Sequence, residues 1–189
     1  MKLRDLLTVE RVIPSLKAAS KRGALHKILR HVCPKSPERA DAIRAAVMDR
    51  AELPAFGPAH GVALPHALVA GLIAPIAAFA RLQPALDFGS ADGSAIDLVM
   101  LLVSPSEQPS SHLQALASIA RRLRDPNVRR LLRGSESRDA MYMVLCGSDW
   151  LRSEPDVTAP DIAEKTRPAY GKRAELRHGS RPPQSSLER

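Results

Sequence analysis

The sequence predicts an α/β layered domain over residues 1–150. Three observations carry this. Short apolar runs alternate with segments of helical periodicity, which interleaves strands with helices. One run, Ile96–Val103, is apolar at nearly every position, as in a strand covered on both faces. Turn-forming clusters separate the segments. The length of 189 residues suits one domain with a tail. Hydrophobic residues make up 44% of the chain and aromatics only 3%, so the core must be built from Leu, Ile, Val and Ala.

The opening segment holds one short strand around Arg11–Leu16. Lys21–Val32 places Leu25, Ile28, Leu29 and Val32 at helical spacing with cations on the other side. Ser36-Pro37-Glu38 supplies an N-cap, a proline at the first helical position and an early acid, opening a helix that runs to about Arg50. Ala51–His60 reads as a loop, Gly61–His66 and Pro75–Leu82 as two buried strands joined by a turn, and Asp87–Gly93 as a turn-rich link. After the Ile96–Val103 strand, Ser104–Ser111 reads as a loop and His112–Arg124 as a helix with Leu113, Leu116, Ala117, Ala120 and Leu123 along its apolar side. Asp125-Pro126 restarts a helix through about Leu132, and Ser137–Cys146 is the last one. From Arg152 to Arg189 five prolines, mixed charges and little apolar periodicity predict a disordered tail, so residues 151–189 fall outside the domain.

Leu53–Ala80 contains no Asp, Glu, Lys or Arg and is long enough to span a bilayer. Pro54, Pro58, Pro65 and Pro75 break it repeatedly, and lipid offers no partner for the freed backbone groups. No membrane insertion is expected. The N-terminus breaks its apolar residues with charges and does not read as a signal peptide. Cys33 and Cys146 are far apart and form no CxxC pair, which fits reduced thiols and a cytoplasmic location.

The formal net charge of +8 is unevenly spread. Residues 1–50 carry twelve Lys/Arg against five acids, whereas residues 51–110 carry one Arg against five acids. Such flanks suit an anionic partner, but the scarcity of aromatics and the acidic centre argue against nucleic acid. His26, His31 and Cys33 match no closed zinc spacing and read as incidental residues of a basic helix. Phosphate-binding glycine loops, nucleophile elbows and HExxH are absent from the sequence.

Two histidines remain. His66, in Gly61-Val-Ala-Leu-Pro-His66, ends an apolar strand interrupted by a proline, and strand ends in α/β sheets are where sites are built. The plainer alternative is a core or edge histidine whose ring is satisfied by a backbone carbonyl. His112 opens a helix after Pro109-Ser110-Ser111, where unpaired N–H groups bind phosphate and disfavour imidazolium. Brought together, the two would place a nucleophilic imidazole beside an anion cradle, an arrangement suited to phosphoryl transfer.

On these residues the chain resembles the enzyme IIA domains of the bacterial phosphotransferase system, mannitol/fructose type, including the nitrogen-regulatory branch. The resemblance runs through Gly61–His66, Ala95–Pro105 and His112–Asp125, and covers roughly residues 5–146. It implies an enzyme IIA type-2-like fold, a central mixed β-sheet flanked by helices. It further implies that His66 accepts a phosphoryl group, usually on Nε2, from the phosphohistidine of a small HPr-like carrier. His112 would contact the phosphoryl group or orient His66, and Arg50 would support the site. No metal or other cofactor is implied. The phosphorylation state would then regulate target proteins of nitrogen, carbon or potassium physiology. The alternative is a regulatory protein-binding module on the same fold that takes no phosphate. The chain departs from the family at Leu68, where Lys or Arg is common, and at His60, where nitrogen-type members often have Asn.

Overall fold

A computed structural model describes residues 1–32, 37–51 and 60–147. Met1–Trp150 forms one compact unit. The expectations on Cys33, on Ser36 as an N-cap, on most of the 51–60 loop and on the 151–189 tail lie outside the described residues.

Two single-turn 3₁₀ helices, Leu3–Asp5 and Val9–Arg11, lead into β1 (Val12–Leu16). Then come α1 (Lys21–Leu29), α2 (Pro37–Ala51), β2 (Val62–Ala63), β3 (His66–Val69), β4 (Ile76–Leu86) and β5 (Ile96–Pro105). The helices α3 (Pro109–Arg124), α4 (Pro126–Gly134) and α5 (Arg138–Cys146) complete the unit. The sheet order is β1-β4-β5-β2, with β3 also paired to β5. The β4–β5 pair is antiparallel and the other pairs are parallel, so the sheet is mixed, as the resemblance implies.

Side chains alternate across the sheet and are buried on both faces. Ala78, Ala80, Leu82, Val99, Leu101 and Val103 meet Leu25, Ile28, Leu29, Ile43 and Val47 of α1 and α2. Phe79, Leu98, Met100 and Leu102 meet Ile119, Leu123, Val128, Leu132, Met141 and Leu145 of the last three helices. Period-2 alternation in β4 and β5 thus feeds two cores, which is why Ile96–Val103 is apolar throughout.

Four local readings are corrected by the structure. The strand expected at Gly61–His66 is two short ones, because Pro65 has no N–H to donate and the ladder breaks at Leu64-Pro65. Register survives the break: Val62 pairs with Leu98 and His66 with Leu102, while the Pro65 carbonyl accepts from the Leu102 N–H (3.0 Å). His66 therefore begins β3 rather than ending the strand before it. The Pro75–Leu82 strand extends to Leu86, across a register shift between Arg81 and Leu86.

The β5 strand runs on to Pro105, so Ser104 belongs to the sheet and not to a loop. Finally, α3 starts at Pro109, whose fixed φ and missing N–H suit the first helical position. Its buried stripe is His112, Ala115, Ile119 and Leu123, while Leu113 is 65% exposed. Of the expected apolar side, Leu123 is buried and Leu116 and Ala120 pack against the core, whereas Leu113 and Ala117 are exposed and His112 takes an inward position.

Three arginines serve the fold itself. Arg129 donates to the carbonyls of Leu123 (2.9 Å) and Arg124 (2.5 Å) at the C-terminus of α3. Arg81 reaches the Leu132 (3.4 Å) and Arg133 carbonyls at the end of α4. Arg122 bonds the Val144 and Gly147 carbonyls at the end of α5. Each guanidinium satisfies carbonyls that a helix end leaves without intrahelical partners, and sits at the negative pole of the helix dipole.

Candidate functional site

The end of the sheet where β5 hands over to α3 collects the sequence-predicted residues. His66 is on edge strand β3, opposite Leu102. By alternation it shares a face with Val62 and Leu64, the face covered by α3. His112 is in the first turn of α3. Arg50, in the last turn of α2, reaches the same place around the sheet edge. Together with Ala46, Ala67 and Leu68 these residues line a cleft of about 230 Å³. The His66 and His112 ring centroids are 5.4 Å apart, with ring planes inclined at 47°. Two residues 46 positions apart in sequence thus meet across one cleft, with a guanidinium at its border.

The His66 ring is fixed by its own chain. Its Nδ1 lies 2.9 Å from the Leu64 carbonyl oxygen. A carbonyl only accepts, so Nδ1 carries the proton, and in the neutral imidazole Nε2 then holds the lone pair. The contact is possible because Leu64-Pro65 interrupts the ladder and turns the Leu64 carbonyl toward the ring two residues on. The ring is thus satisfied by a backbone carbonyl, as the plainer alternative expects, and the same bond at Nδ1 defines Nε2 as the nitrogen with the lone pair.

His112 is held differently. It is only 7% exposed, and its Nδ1 is 2.9 Å from Oγ of the fully buried Ser104. Burial first, then His66 and Arg50, push its pKa below the ordinary imidazole value. The ring is therefore neutral at neutral pH. The His112 N–H itself bonds the Gln108 carbonyl (3.2 Å), closing the first turn of α3. Ser104, buried behind the cleft and bonded to His112, is the contact that the sequence reading missed. Its signal was period-2 continuation of Leu98, Met100 and Leu102, which places residue 104 on the α3 face.

A second cluster anchors the start of β2. Arg133 makes a two-pronged ion pair with Asp97 (2.6 and 2.7 Å) and donates to the His60 carbonyl (2.8 Å). The His60 N–H donates to Asp92 Oδ2 (3.0 Å). Asp92 also accepts from Ser90 and Ser94, and these bonds hold its carboxyl far below the usual carboxylate range. His60 has φ 57°, in the left-handed region where Asn, Asp and His are enriched over other non-glycine residues. Gly61 follows at φ 82°, and a Cβ there would come within 2.6 Å of the Arg133 guanidinium and 2.7 Å of Asp97 Oδ1. The Gly61 carbonyl accepts from both Asp97 and Leu98 N–H groups (3.0 Å each), locking β2, and with it the path to His66, onto β5.

Among the described residues no helix is long and apolar enough to cross a membrane. From His60 onward the charge-free stretch is spent on β2, β3 and the start of β4 instead.

Known proteins resemble this chain in sequence and fold. A nitrogen regulatory protein of Bradyrhizobium diazoefficiens is 37% identical over 145 residues, covering 77% of this chain and 95% of the relative. One from Pseudomonas aeruginosa is 31% identical over 146 residues, covering 77% and 95%. Among solved structures, the nitrogen regulatory protein IIA-Ntr from Neisseria meningitidis superposes with a TM-score of 0.70 at 22% identity, covering 76% of this chain and 98% of that one; at that identity the likeness concerns the fold. The family model described as the phosphoenolpyruvate-dependent sugar phosphotransferase system, EIIA 2, matches residues 5–146. With a match over most of the domain and relatives of this similarity, the chain belongs to the EIIA 2 family of that system.

Proposed function

We propose that the chain is a phosphocarrier that accepts a phosphoryl group on Nε2 of His66 from an HPr-like phosphohistidine protein, and that its phosphorylation state regulates other proteins. The single observation that carries this is the Nδ1 bond from His66 to the Leu64 carbonyl, which makes Nε2 the lone-pair nitrogen of a cleft-lining ring. In the transfer, that lone pair attacks phosphorus and forms the new N–P bond. The N–P bond of the donor breaks, its electron pair returning to the donor imidazole. The proton on Nδ1 stays in place, where the Leu64 carbonyl stabilises the positive charge the ring acquires. Arg50 stabilises the charge on the transferring oxygens, and the neutral His112 ring contacts them without trapping the anion as a fixed ion pair.

The regulatory half rests on the family and on the surface around the site. Leu68, two residues after His66, is 43% exposed, and Leu113, next to His112, is 65% exposed. A phosphoryl group adding about two negative charges between such apolar side chains changes which protein surface can dock there. The names of the Bradyrhizobium and Pseudomonas relatives support a nitrogen-regulatory setting. The test is incubation with the phosphorylated HPr-like carrier. Acid-labile phosphate should appear on the wild type and be absent from His66→Ala. Failure to label the wild type, or full labelling of His66→Ala, would refute the reading. The second reading, a binding module that takes no phosphate, draws on Leu68 lining the cleft where the family commonly carries a cation. A partner pull-down unchanged between wild type and His66→Asp would favour it.

A further inference from the structure

We propose that Ser104 is a positioning residue whose hydroxyl donates to Nδ1 of His112, holding that ring in the tautomer that carries its proton on Nε2. Ser104 Oγ is fully buried, and among the described residues its hydrogen-bond partner is His112 Nδ1, at 2.9 Å. A serine hydroxyl has one hydrogen to donate and lone pairs to accept with. If Nδ1 carried the proton and donated to Oγ, the hydroxyl hydrogen would be left buried without an acceptor among those residues, and an unmet buried donor bears its full desolvation penalty. With the hydroxyl donating to Nδ1, every polar atom of the pair is satisfied. The depressed proton affinity of His112 agrees, because an imidazolium would have to donate from Nδ1.

The two rings then stand in opposite tautomers 5.4 Å apart. His66 presents a lone pair at Nε2 and His112 presents an N–H. A phosphoryl group needs both, a nucleophile at phosphorus and a donor toward its oxygens, whereas two matching lone pairs would repel the anion. The use of this pairing in transfer rests on the phosphocarrier reading. The tautomer assignment rests on the Ser104 contact alone. Ser104 is held for the task by the sheet, since β5 pairs with β4 on one side and with β3 on the other, where Ser104 is opposite Leu68.

The experiment is a long-range proton–nitrogen NMR correlation of the ¹⁵N-labelled full chain, read at the His112 ring. The wild type should show Nδ1 with the shift of an unprotonated ring nitrogen and Nε2 with that of an N–H. Ser104→Ala should lose this single-tautomer signature, and Ser104→Thr, which keeps the hydroxyl, should retain it. Phosphoryl acceptance should fall about three- to tenfold in Ser104→Ala, the worth of one hydrogen bond, and return to within about twofold in Ser104→Thr. A wild-type spectrum with the proton on Nδ1 overturns the proposal outright. So does a Ser104→Ala variant with an unchanged tautomer. If the wild type takes no phosphate, the phosphocarrier reading fails, while the spectra still decide the role of Ser104.

Discussion

Replacing Gly61 by alanine should destabilise the domain by about 1–5 kcal/mol, and the figure has two separable parts. The first is conformational. At φ 82° an L side chain costs about 1–2 kcal/mol, offset by about 0.4–1 kcal/mol from the reduced freedom of the unfolded chain. The second is steric and electrostatic. The new Cβ would come within 2.6 Å of the Arg133 guanidinium and 2.7 Å of Asp97, so these groups must shift, weakening the bonds of Arg133 to Asp97 and the His60 carbonyl. The pair is partly exposed, with side-chain accessibilities of 39% and 23%, so its loss is worth about 1–3 kcal/mol rather than a buried pair's full penalty. Gly71 provides the control. Its φ is 76°, yet nothing lies within 4 Å of its Cβ position, so Gly71→Ala isolates the conformational part and should cost about 1 kcal/mol or less. Urea unfolding of the two variants, with equal m-values, measures the difference. Equal midpoints for Gly61→Ala and Gly71→Ala would refute the idea that the Arg133–Asp97 clamp fixes the turn leading to His66.

Further outcomes follow from the same geometry. His112→Ala should slow phosphoryl acceptance by about 10²–10³, the usual effect of losing a preorganised donor, measured by rapid-quench transfer from the phosphorylated carrier. Arg129→Met should cost about 2–3 kcal/mol in chemical unfolding, because it strips the α3 carbonyls of Leu123 and Arg124 of a buried charged donor. The exposed Arg124→Ala should stay within about 0.5 kcal/mol. Stability should also depend on pH through His112. The folded state holds this ring below its ordinary value of 6.5, so the unfolded chain binds a proton that the folded chain resists. Stability is therefore full above about pH 6.5 and falls as the pH drops toward the folded pKa. Unfolding midpoints at several pH values should show this slope, flattened in His112→Gln.

Much of the fold was legible because its signals are local. Pro126 behind Asp125, and Ser137 ahead of α5, act through the backbone groups nearest them in the chain: Asp125 accepts from the Asn127 N–H at 2.8 Å and Ser137 from that of Ala140 at 3.1 Å. The unbroken apolar run of β5 announces two covered faces by composition alone. Errors arose where a neighbour remote in sequence decides the matter. Proline at 65 reads as a strand end, yet β5 supplies the same register on both sides of the break, so pairing resumes at His66. Leu113 reads as core, but the helix turns His112 inward instead, where its Nδ1 meets the buried Ser104 hydroxyl.

By itself the sequence determined the layer order of helices and strands, the two histidines, and the family they resemble, since capping, periodicity and motif spacing are short-range properties of the chain. Only the tertiary structure decided that His66, His112 and Arg50 line one cleft, which atom each ring's Nδ1 meets, and that Arg81, Arg122 and Arg129 serve helix ends. Those matters depend on distances between residues far apart in the chain, and hydrogen bonds decay over fractions of an ångström, so no linear pattern records them.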